Sequence, residues 1–354
     1  MKIVHIVYGL GYGGIETMLV NILNEQAKTD NEISVIIINN IINNDLYSAI
    51  DNRVKVYCLG RPVGSKNPYY VFKLNKTLYE LKADIYHLHS STMYRFFPYL
   101  NRPQCVTVHD ILNDMEQKYL KRYKHVFSIS KAVSDDIYLK IGIKAKLVLN
   151  GINTFSICNK NGYQHKSAFK IVQISRLMHS KKGQHILIEA VKIVKDRGYK
   201  VLVDFIGEGS SFDYLTALIK ENDLENEVKL LGAKSQQYIF EHLCEYNLFV
   251  QPSIYEGFGL TVAEAMAAKV PVLVSENQGP LEIINNGKYG YYFKNEDPED
   301  CANKIIEIIE QGVDRDMIEA AYKRVEENYS VKQTAINYIN EYKAILESNK
   351  HKNV

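Results

Sequence analysis

The chain has 354 residues, is 46% hydrophobic and 24% charged, and carries a formal net charge of +2. This is the balance of an ordinary globular protein with sizeable cores, its length suggests about two domains, and no nucleic-acid partner is expected from it. The five cysteines (Cys58, Cys105, Cys158, Cys244, Cys301) are scattered and contain no CxxC, which fits reduced thiols in a cytoplasm and argues against a disulfide framework or a zinc site.

The chain opens on "KIVHIVY", an apolar strand followed by Gly9-x-Gly11-x-x-Gly14 and the start of a helix. The spacing is that of a dinucleotide-binding fingerprint. Its second half is missing: the next strand, "EISVIII", ends in Asn39 and Asn40, where a carboxylate should hold ribose hydroxyls. NAD is therefore disfavoured. What survives is a turn that lets a ligand approach the backbone and a helix N-terminus that attracts phosphate, with a plain β–α turn still open. The start reads as a strand rather than a signal peptide, and no apolar run approaches the ~18 residues of a membrane span, so a cytoplasmic location is expected.

Short β-branched runs continue with "VKVYCL", "DIYHLH", "QCVTVH", "HVFSIS" and "KLVLN", alternating with amphipathic stretches such as 15–28 and 69–82. This βαβ patterning implies a parallel sheet with helices on both faces. Residues 150–167 are rich in Asn, Gly and Ser and lack period, and read as a connection. A second series follows: "FKIVQIS", "KVLVDFIG", "EVKLLG", "NLFVQPS" and "VPVLVS", with helices over 183–197, 212–222 and 260–268 and a helical close from 298 to about 348. The expected division is an N-terminal domain over 1–150, a linker over 151–167, a second domain over 168–329, and a C-terminal helix over 330–354 packing back toward the first. Two doubly wound α/β domains place a ligand at the C-terminal ends of their strands, in the cleft they face.

Residues 252–272, "PSIYEGFGLTVAEAMAAKVPV", carry the most specific signal. Glu256 lies in the turn before a helix and Glu264 inside it, while Gly257 and Gly259 free the first amides of that helix to face an anion. A carboxylate there would repel phosphate, so Glu256 is expected to accept hydrogen bonds from neutral hydroxyls. In "SRLMHSKKGQ", Arg176 offers a bidentate fork and Lys182 a point charge for a diphosphate; a surface basic loop is the bland alternative. Lys181 could replace Lys182, which sits directly before the glycine and is favoured. Asp314-Arg315-Asp316 forms a DxD in a charged helical tail and reads as solvated surface. His87 and His89 flank a strand end, where a metal would need further ligands, and no metal site is expected.

These motifs resemble those of the retaining GT-B glycosyltransferases of family 4, the glycosyl transferases group 1, over nearly the whole chain. Gly13-Gly14-Ile15-Glu16 resembles the family's first glycine-rich loop, and "TVHD" (107–110) the strand end presenting its active-site histidine. "SRL…KKG" resembles its diphosphate-binding Arg and Lys, "IGEGS" (with Gly207 and Gly209) and "LLGAKS" (with Gly232) its Gly-x-Gly and nucleobase-side loops, and "EGFGLTVAEAMA" its E-x7-E motif. The resemblance implies that Gly13 and Gly14 face the donor and that Arg176 and Lys182 neutralise its diphosphate. It implies that Glu264 binds ribose hydroxyls, and that Glu256 with the amides of Phe258, Gly259 and Leu260 holds sugar and phosphate. His109 would contact the transferred sugar, giving His109 and Glu256 the catalytic roles and Glu16 and Asp110 the acceptor side. It implies a transfer without metal or cofactor, from a UDP-sugar to a hydroxyl of a glycan or polyprenyl-diphosphate-linked acceptor, in making a capsule, exopolysaccharide or lipopolysaccharide. One departure stands out: residues 277–282 read Asn-Gln-Gly-Pro-Leu-Glu, where the family has adjacent glycines before a proline. The rivals are a UDP-sugar epimerase or hydrolase on the same plan, and a non-catalytic nucleotide-sugar-binding protein.

Residues 1–150 hold 19 basic and 13 acidic side chains, +6, against −4 for the remainder. With the aromatic-basic stretches 94–100 and 118–125, this hints at an anionic membrane surface met by the first domain. Chance variation of solvated faces weighs equally. Related enzymes commonly extend lipid-linked sugars at the cytoplasmic face of the membrane, so a peripheral position there is the expectation.

Overall fold

The computed structural model describes residues 1–11, 13–96, 102–163, 168–276 and 278–350. The chain divides into two compact units, Met1–Ile152 with Ser330–Val354, and Asn153–Tyr329. Each is a parallel α/β sandwich.

In the first unit the strands are β1 (Lys2–Val7), β2 (Glu32–Asn39), β3 (Lys55–Arg61), β4 (Ile85–Leu88), β5 (Gln104–Val108), β6 (His125–Ser128) and β7 (Lys146–Leu147). Its helices before the crossing are α1 (Gly14–Gln26), α2 (Asn44–Ser48), α3 (Tyr69–Leu81), α4 (Asp114–Leu120) and α5 (Lys131–Ile141). The sheet order is β3-β2-β1-β4-β5-β6-β7, all parallel. Central strands buried on both faces have no polar side to alternate with: all of β1 after Lys2 and all of β2 after Glu32 are buried.

The second unit holds β8 (Phe169–Ile174), α6 (His179–Lys182), α7 (Gln184–Asp196), β9 (Val201–Ile206), α8 (Phe212–Glu221), β10 (Val228–Leu230), α9 (Gln236–His242), β11 (Leu248–Gln251), α10 (Leu260–Ala267), β12 (Val272–Ser275), α11 (Gln278–Ile283), β13 (Tyr291–Phe293), α12 (Pro298–Gln311) and α13 (Arg315–Asn328). Its order is β10-β9-β8-β11-β12-β13. Helix α7 buries Ile186, Leu187, Ala190, Val191 and Val194, a 3.6-residue stripe, into the core shared with Cys301, Ile305 and Ile308 of α12. Strand β13 escapes a sequence reading: three residues beside Gly290 are too short to show a period, and β12 supplies the pairing that defines them.

The chain then crosses back. Helix α14 (Val331–Lys350) belongs to the first unit. Val331 N–H donates to the Ile152 carbonyl at 3.0 Å and Thr334 Oγ1 to the Leu149 carbonyl at 2.8 Å. Tyr338 and Tyr342 are fully buried there.

In each sheet the winding reverses once, between β1 and β4 and between β8 and β11. Ligands of doubly wound folds bind at the carboxyl ends of the strands flanking that reversal. Those ends carry Gly9, Gly13 and His89 in the first unit, and Arg176 and the 252–259 turn in the second.

Two of the five cysteines meet: the Sγ atoms of Cys158 and Cys244 lie 2.8 Å apart. Burial first, then the Cys158 thiol, pushes the Cys244 thiol up to about 11, so it stays protonated at neutral pH. No helix among the described residues is long and apolar enough to cross a membrane.

Candidate active site

In the second unit, three strand ends are laced together by main-chain bonds. Ser175 N–H donates to the Ile206 carbonyl (3.0 Å), Leu177 N–H to that of Glu208 (2.9 Å), and Gly207 N–H to that of Gly232 (3.0 Å). The sequence-selected Gly207, Gly209 and Gly232 therefore sit in one bonded cluster with the Arg176 turn. Ile254 N–H donates to the Lys181 carbonyl at 2.9 Å, which ties the turn after β11 to α6. Gly183 makes that junction: its φ is +64°, and a Cβ there would collide with the Pro252 carbonyl.

That junction brings Lys182 to Glu256. Lys182 Nζ donates to Glu256 Oε1 at 2.7 Å, with both side chains mostly buried. The other carboxylate oxygen accepts from Gln251 Nε2 and Ser253 Oγ, each at 2.8 Å. Burial alone would raise the Glu256 carboxyl. The Lys182 charge and these hydrogen bonds outweigh it and hold Glu256 below the usual carboxylate range. Three donors occupy a group with about four acceptor positions, so Glu256 is largely satisfied before any hydroxyl arrives. Its geometry is that of a group aiming Lys182, which keeps two further N–H donors. One acceptor position is left for the hydroxyl that the sequence assigns to Glu256.

The two lysines are separated by their contacts. Lys181 lies with its ammonium 4.9 Å from the centre of the Tyr255 ring, while Lys182 is paired with Glu256. The Arg176 side chain is exposed and forms no salt bridge with a described residue.

Helix α10 starts directly after the pair. Gly259 is its N-cap at φ +105°, with no side-chain cap, so the first amides are left to another partner. The Phe258 side chain is buried edge-on against Tyr329 at 5.7 Å; it anchors the turn, and only its amide remains for a ligand. Gly279 N–H donates to the Glu256 carbonyl at 3.1 Å, backing the turn with α11. Within the departing loop, Asn277 lies outside the described residues.

Glu264 stands apart, half-buried on α10. Burial pushes its carboxyl up to about 7, against a lowering hydrogen bond from Gln236. A carboxyl this poorly solvated favours donors that a ligand brings, and a vicinal diol is such a pair.

In the first unit, Gly13 is the extended N-cap of α1, and the Glu16 carboxylate folds back so closely that a Cβ at Gly13 would collide with it. Residue 12 lies outside the described residues. His109 follows β5 directly. Its Nε2 is 3.0 Å from His89 Nδ1, while its Nδ1 is buried without a hydrogen-bond partner. Burial, opposed by the neighbouring Asp110, pushes His109 down to about 4, so the ring is neutral at pH 7.

His87 and His89 do find a third histidine, His5 on β1, and ring nitrogens of the three lie within 4.8 Å of one another. They are already engaged: His5 Nδ1 with His89 Nε2 (3.0 Å), His87 Nδ1 with Tyr342 Oη (2.6 Å) and His87 Nε2 with Thr107 Oγ1 (2.7 Å). A cation there would break these bonds. Asp314 of the DxD caps α13, accepting from Met317 N–H at 3.0 Å.

Sequence reasoning missed Gln251, Ser253, Gln236, His5 and Gln26. A signal was present for two of them: a buried Gln closing an apolar strand, as in "LFVQ", has to hydrogen-bond somewhere, and a histidine inside "KIVHIVY" does too.

The family model for glycosyltransferase family 4 matches residues 12–155 and that for glycosyl transferases group 1 matches residues 159–324. The chain belongs to glycosyltransferase family 4. Among solved structures, Anabaena HepE in complex with UDP and glucose superposes with a TM-score of 0.81 at 22% identity, covering 97% of this chain and 100% of that one. The GT-B architecture, two Rossmann-like parallel-sheet domains, is thus the fold. The probable sucrose-phosphate synthase of Thermosipho melanesiensis is 28% identical over 236 residues, 65% of this chain and 53% of its own length. The poly(ribitol-phosphate) alpha-N-acetylglucosaminyltransferase of Staphylococcus aureus is 34% identical over 168 residues, 46% of this chain and 33% of its own. The chain thus matches about half, or less, of the length of these two curated relatives.

Proposed function

We propose that this family 4 member transfers a sugar, with retention, from a UDP-sugar to a hydroxyl of a surface glycan or lipid-linked glycan. The observation that carries the reading is the Lys182–Glu256 pair set against the uncapped N-terminus of α10. The leaving group is a nucleoside diphosphate, and stabilising its developing charge is the main catalytic task. Lys182, Arg176 and the amides of Gly259 and Leu260 supply fixed positive potential for it, so no metal is needed. Glu264 takes the ribose hydroxyls and His109 the transferred sugar. The named ligands of HepE, UDP and glucose, and the polymeric acceptor in the name of the staphylococcal relative support the donor and acceptor classes.

Screening nucleotide sugars for thermal stabilisation tests the donor, since a ligand bound only by the folded state raises its stability by mass action. UDP-sugars are expected to stabilise most, and to lose that effect in Arg176→Ala and Lys182→Ala. Equal stabilisation of both variants would overturn the diphosphate assignment. Transfer is expected to persist in EDTA; its loss in EDTA, restored by Mg²⁺, would overturn metal independence. UDP release that proceeds at full rate without any acceptor would instead favour an epimerase or hydrolase.

A further inference from the structure

Four side chains, three of them buried and His109 half-buried, form one line from the end of α1 across β1 to the ends of β4 and β5. Gln26, the last residue of α1, places Oε1 2.8 Å from His5 Nε2. His5 Nδ1 lies 3.0 Å from His89 Nε2, and His89 Nδ1 lies 3.0 Å from His109 Nε2. The line ends at His109 Nδ1, which is buried and unpartnered. His5 and His89 are themselves shut from solvent, at 0% and 8% exposure.

A neutral imidazole has one N–H and one bare nitrogen. Burial holds His5, His89 and His109 well into the neutral range at pH 7, so each link must run from an N–H to a bare nitrogen. An amide oxygen can only accept. Once Oε1 of Gln26 faces His5, the direction of every later link follows: His5 Nε2–H donates to Gln26, His89 Nε2–H to His5 Nδ1, and His109 Nε2–H to His89 Nδ1. The terminal atom is then a bare acceptor. The reverse chain would need the Gln26 amide turned over, with Nε2 in place of Oε1 facing His5, and would leave an N–H rather than a bare nitrogen at His109 Nδ1; Gln26 Nε2 is itself buried without a partner as the amide stands.

We infer that Gln26 is a positioning residue that sets the tautomer of His109 through His5 and His89, so that His109 carries its proton on Nε2 and keeps Nδ1 as a bare hydrogen-bond acceptor. The kinetic part rests on the proposed role of His109 beside the transferred sugar; the tautomer assignment does not. The chain explains why polar side chains occupy the middle of an otherwise apolar sheet. It also gives His109 a fixed protonation state without a neighbouring carboxylate acting as orienter.

Nitrogen-15 NMR of the histidine-labelled full chain decides the assignment, because bare and protonated ring nitrogens have well-separated shifts. His109→Asn identifies the His109 signals. The expected result in the unaltered protein at pH 7 is a protonated Nε2 and a bare Nδ1 at His5, His89 and His109 alike. A protonated Nδ1 at His109 would overturn the inference, and this arm needs no Gln26 variant to fold. Gln26→Met removes the acceptor at nearly constant volume. It is expected to leave His109 as a mixture of tautomers and to lower kcat about tenfold, with donor KM changed little. A folded Gln26→Met protein with the original His109 shifts would also overturn it. If His109→Ala kept the full transfer rate while the unaltered protein showed the expected shifts, the role of His109 at the sugar would fall and the tautomer assignment would stand.

Discussion

Glu256 and Glu264 are eight residues apart, yet their environments drive them in opposite directions. Glu256 is held low by Lys182, Ser253 and Gln251 against its own burial. Its contribution to stability is present above the unfolded carboxyl value of about 4.5 and is lost as pH falls through its depressed folded value. Glu264 is raised by burial to about 7. Its unfolded form ionises first as pH rises, so its contribution is complete below about pH 4.5 and is lost between there and pH 7, a swing on the order of 3 kcal/mol. Urea titrations across pH should separate them. Glu264→Gln is expected to flatten the decline between pH 4.5 and 7, and Glu256→Gln to lower stability at pH 7 by about 2 kcal/mol by leaving Lys182 without its partner. A Glu264→Gln protein that kept the full pH 4.5–7 slope would refute the raised carboxyl. The sequence shows both carboxylates and their spacing. It does not show that Glu256 faces Lys182, because that contact spans 74 residues and depends on Gly183 packing against Pro252.

At the scale of elements, what is legible is what is periodic. The helices over 69–82 and 212–222 have enough residues to reveal a period of 3.6, the β8–β12 runs stand out as apolar, β-branched stretches bounded by polar residues or glycine, and the structure places both within a residue or two. Ends are decided by backbone detail: α3 stops at Leu81 because Lys82 turns left-handed at φ +46°. Strand β13 and the partners of the strand-end glutamines depend on neighbours distant in sequence. The cap of α10 gives a prediction at this scale. Gly259 (φ +105°, ψ 56°) lies outside the left-handed well that an L-residue can enter, and its Cβ would sit 3.3 Å from Val262 Cγ2. Gly142, the C-cap of α5, lies inside that well (φ +72°, ψ 9°) with nothing within 4 Å. Gly142→Ala should cost about 1 kcal/mol, and Gly259→Ala about 2 kcal/mol or more. Urea midpoints that ranked the two the other way would show that the α10 cap is not under the strain its φ implies.

For the whole molecule, the crossing of α14 decides where the charge lies. The first unit, with residues 330–354 included, has 23 basic and 15 acidic residues, +8, and the second has 20 and 26, −6. Part of the first unit's excess is well placed. Lys118, Lys121, Arg122 and Lys124 on and after α4 are all exposed. The aromatic component differs from the sequence expectation. In the 94–100 stretch, Tyr94 packs edge-on against Tyr123 at 5.5 Å and Phe96 lies beneath Arg95, while residues 97–100 fall outside the described ones. The free aromatic face is on α3 instead, where Tyr69, Phe72 and Tyr79 are 56%, 67% and 77% exposed. The segment 91–96 lies between the two helices: Asn75 of α3 donates to the Phe96 carbonyl, and Ser91 Oγ to that of Glu116 on α4. Aromatic rings that enter the headgroup layer and lysines that attract anionic lipid are the two signals that reversible attachment requires, each basic residue contributing about 1 kcal/mol near the surface. Co-sedimentation with anionic liposomes is therefore expected to rise with anionic lipid content and fall with salt. Changing the four basic residues to Ser should abolish its dependence on lipid charge. Phe72→Ser with Tyr79→Ser should weaken binding while leaving that charge dependence intact. Recovery wholly in the supernatant at low salt would overturn the expectation of membrane attachment and leave the proposed donor-site chemistry of the second unit untouched.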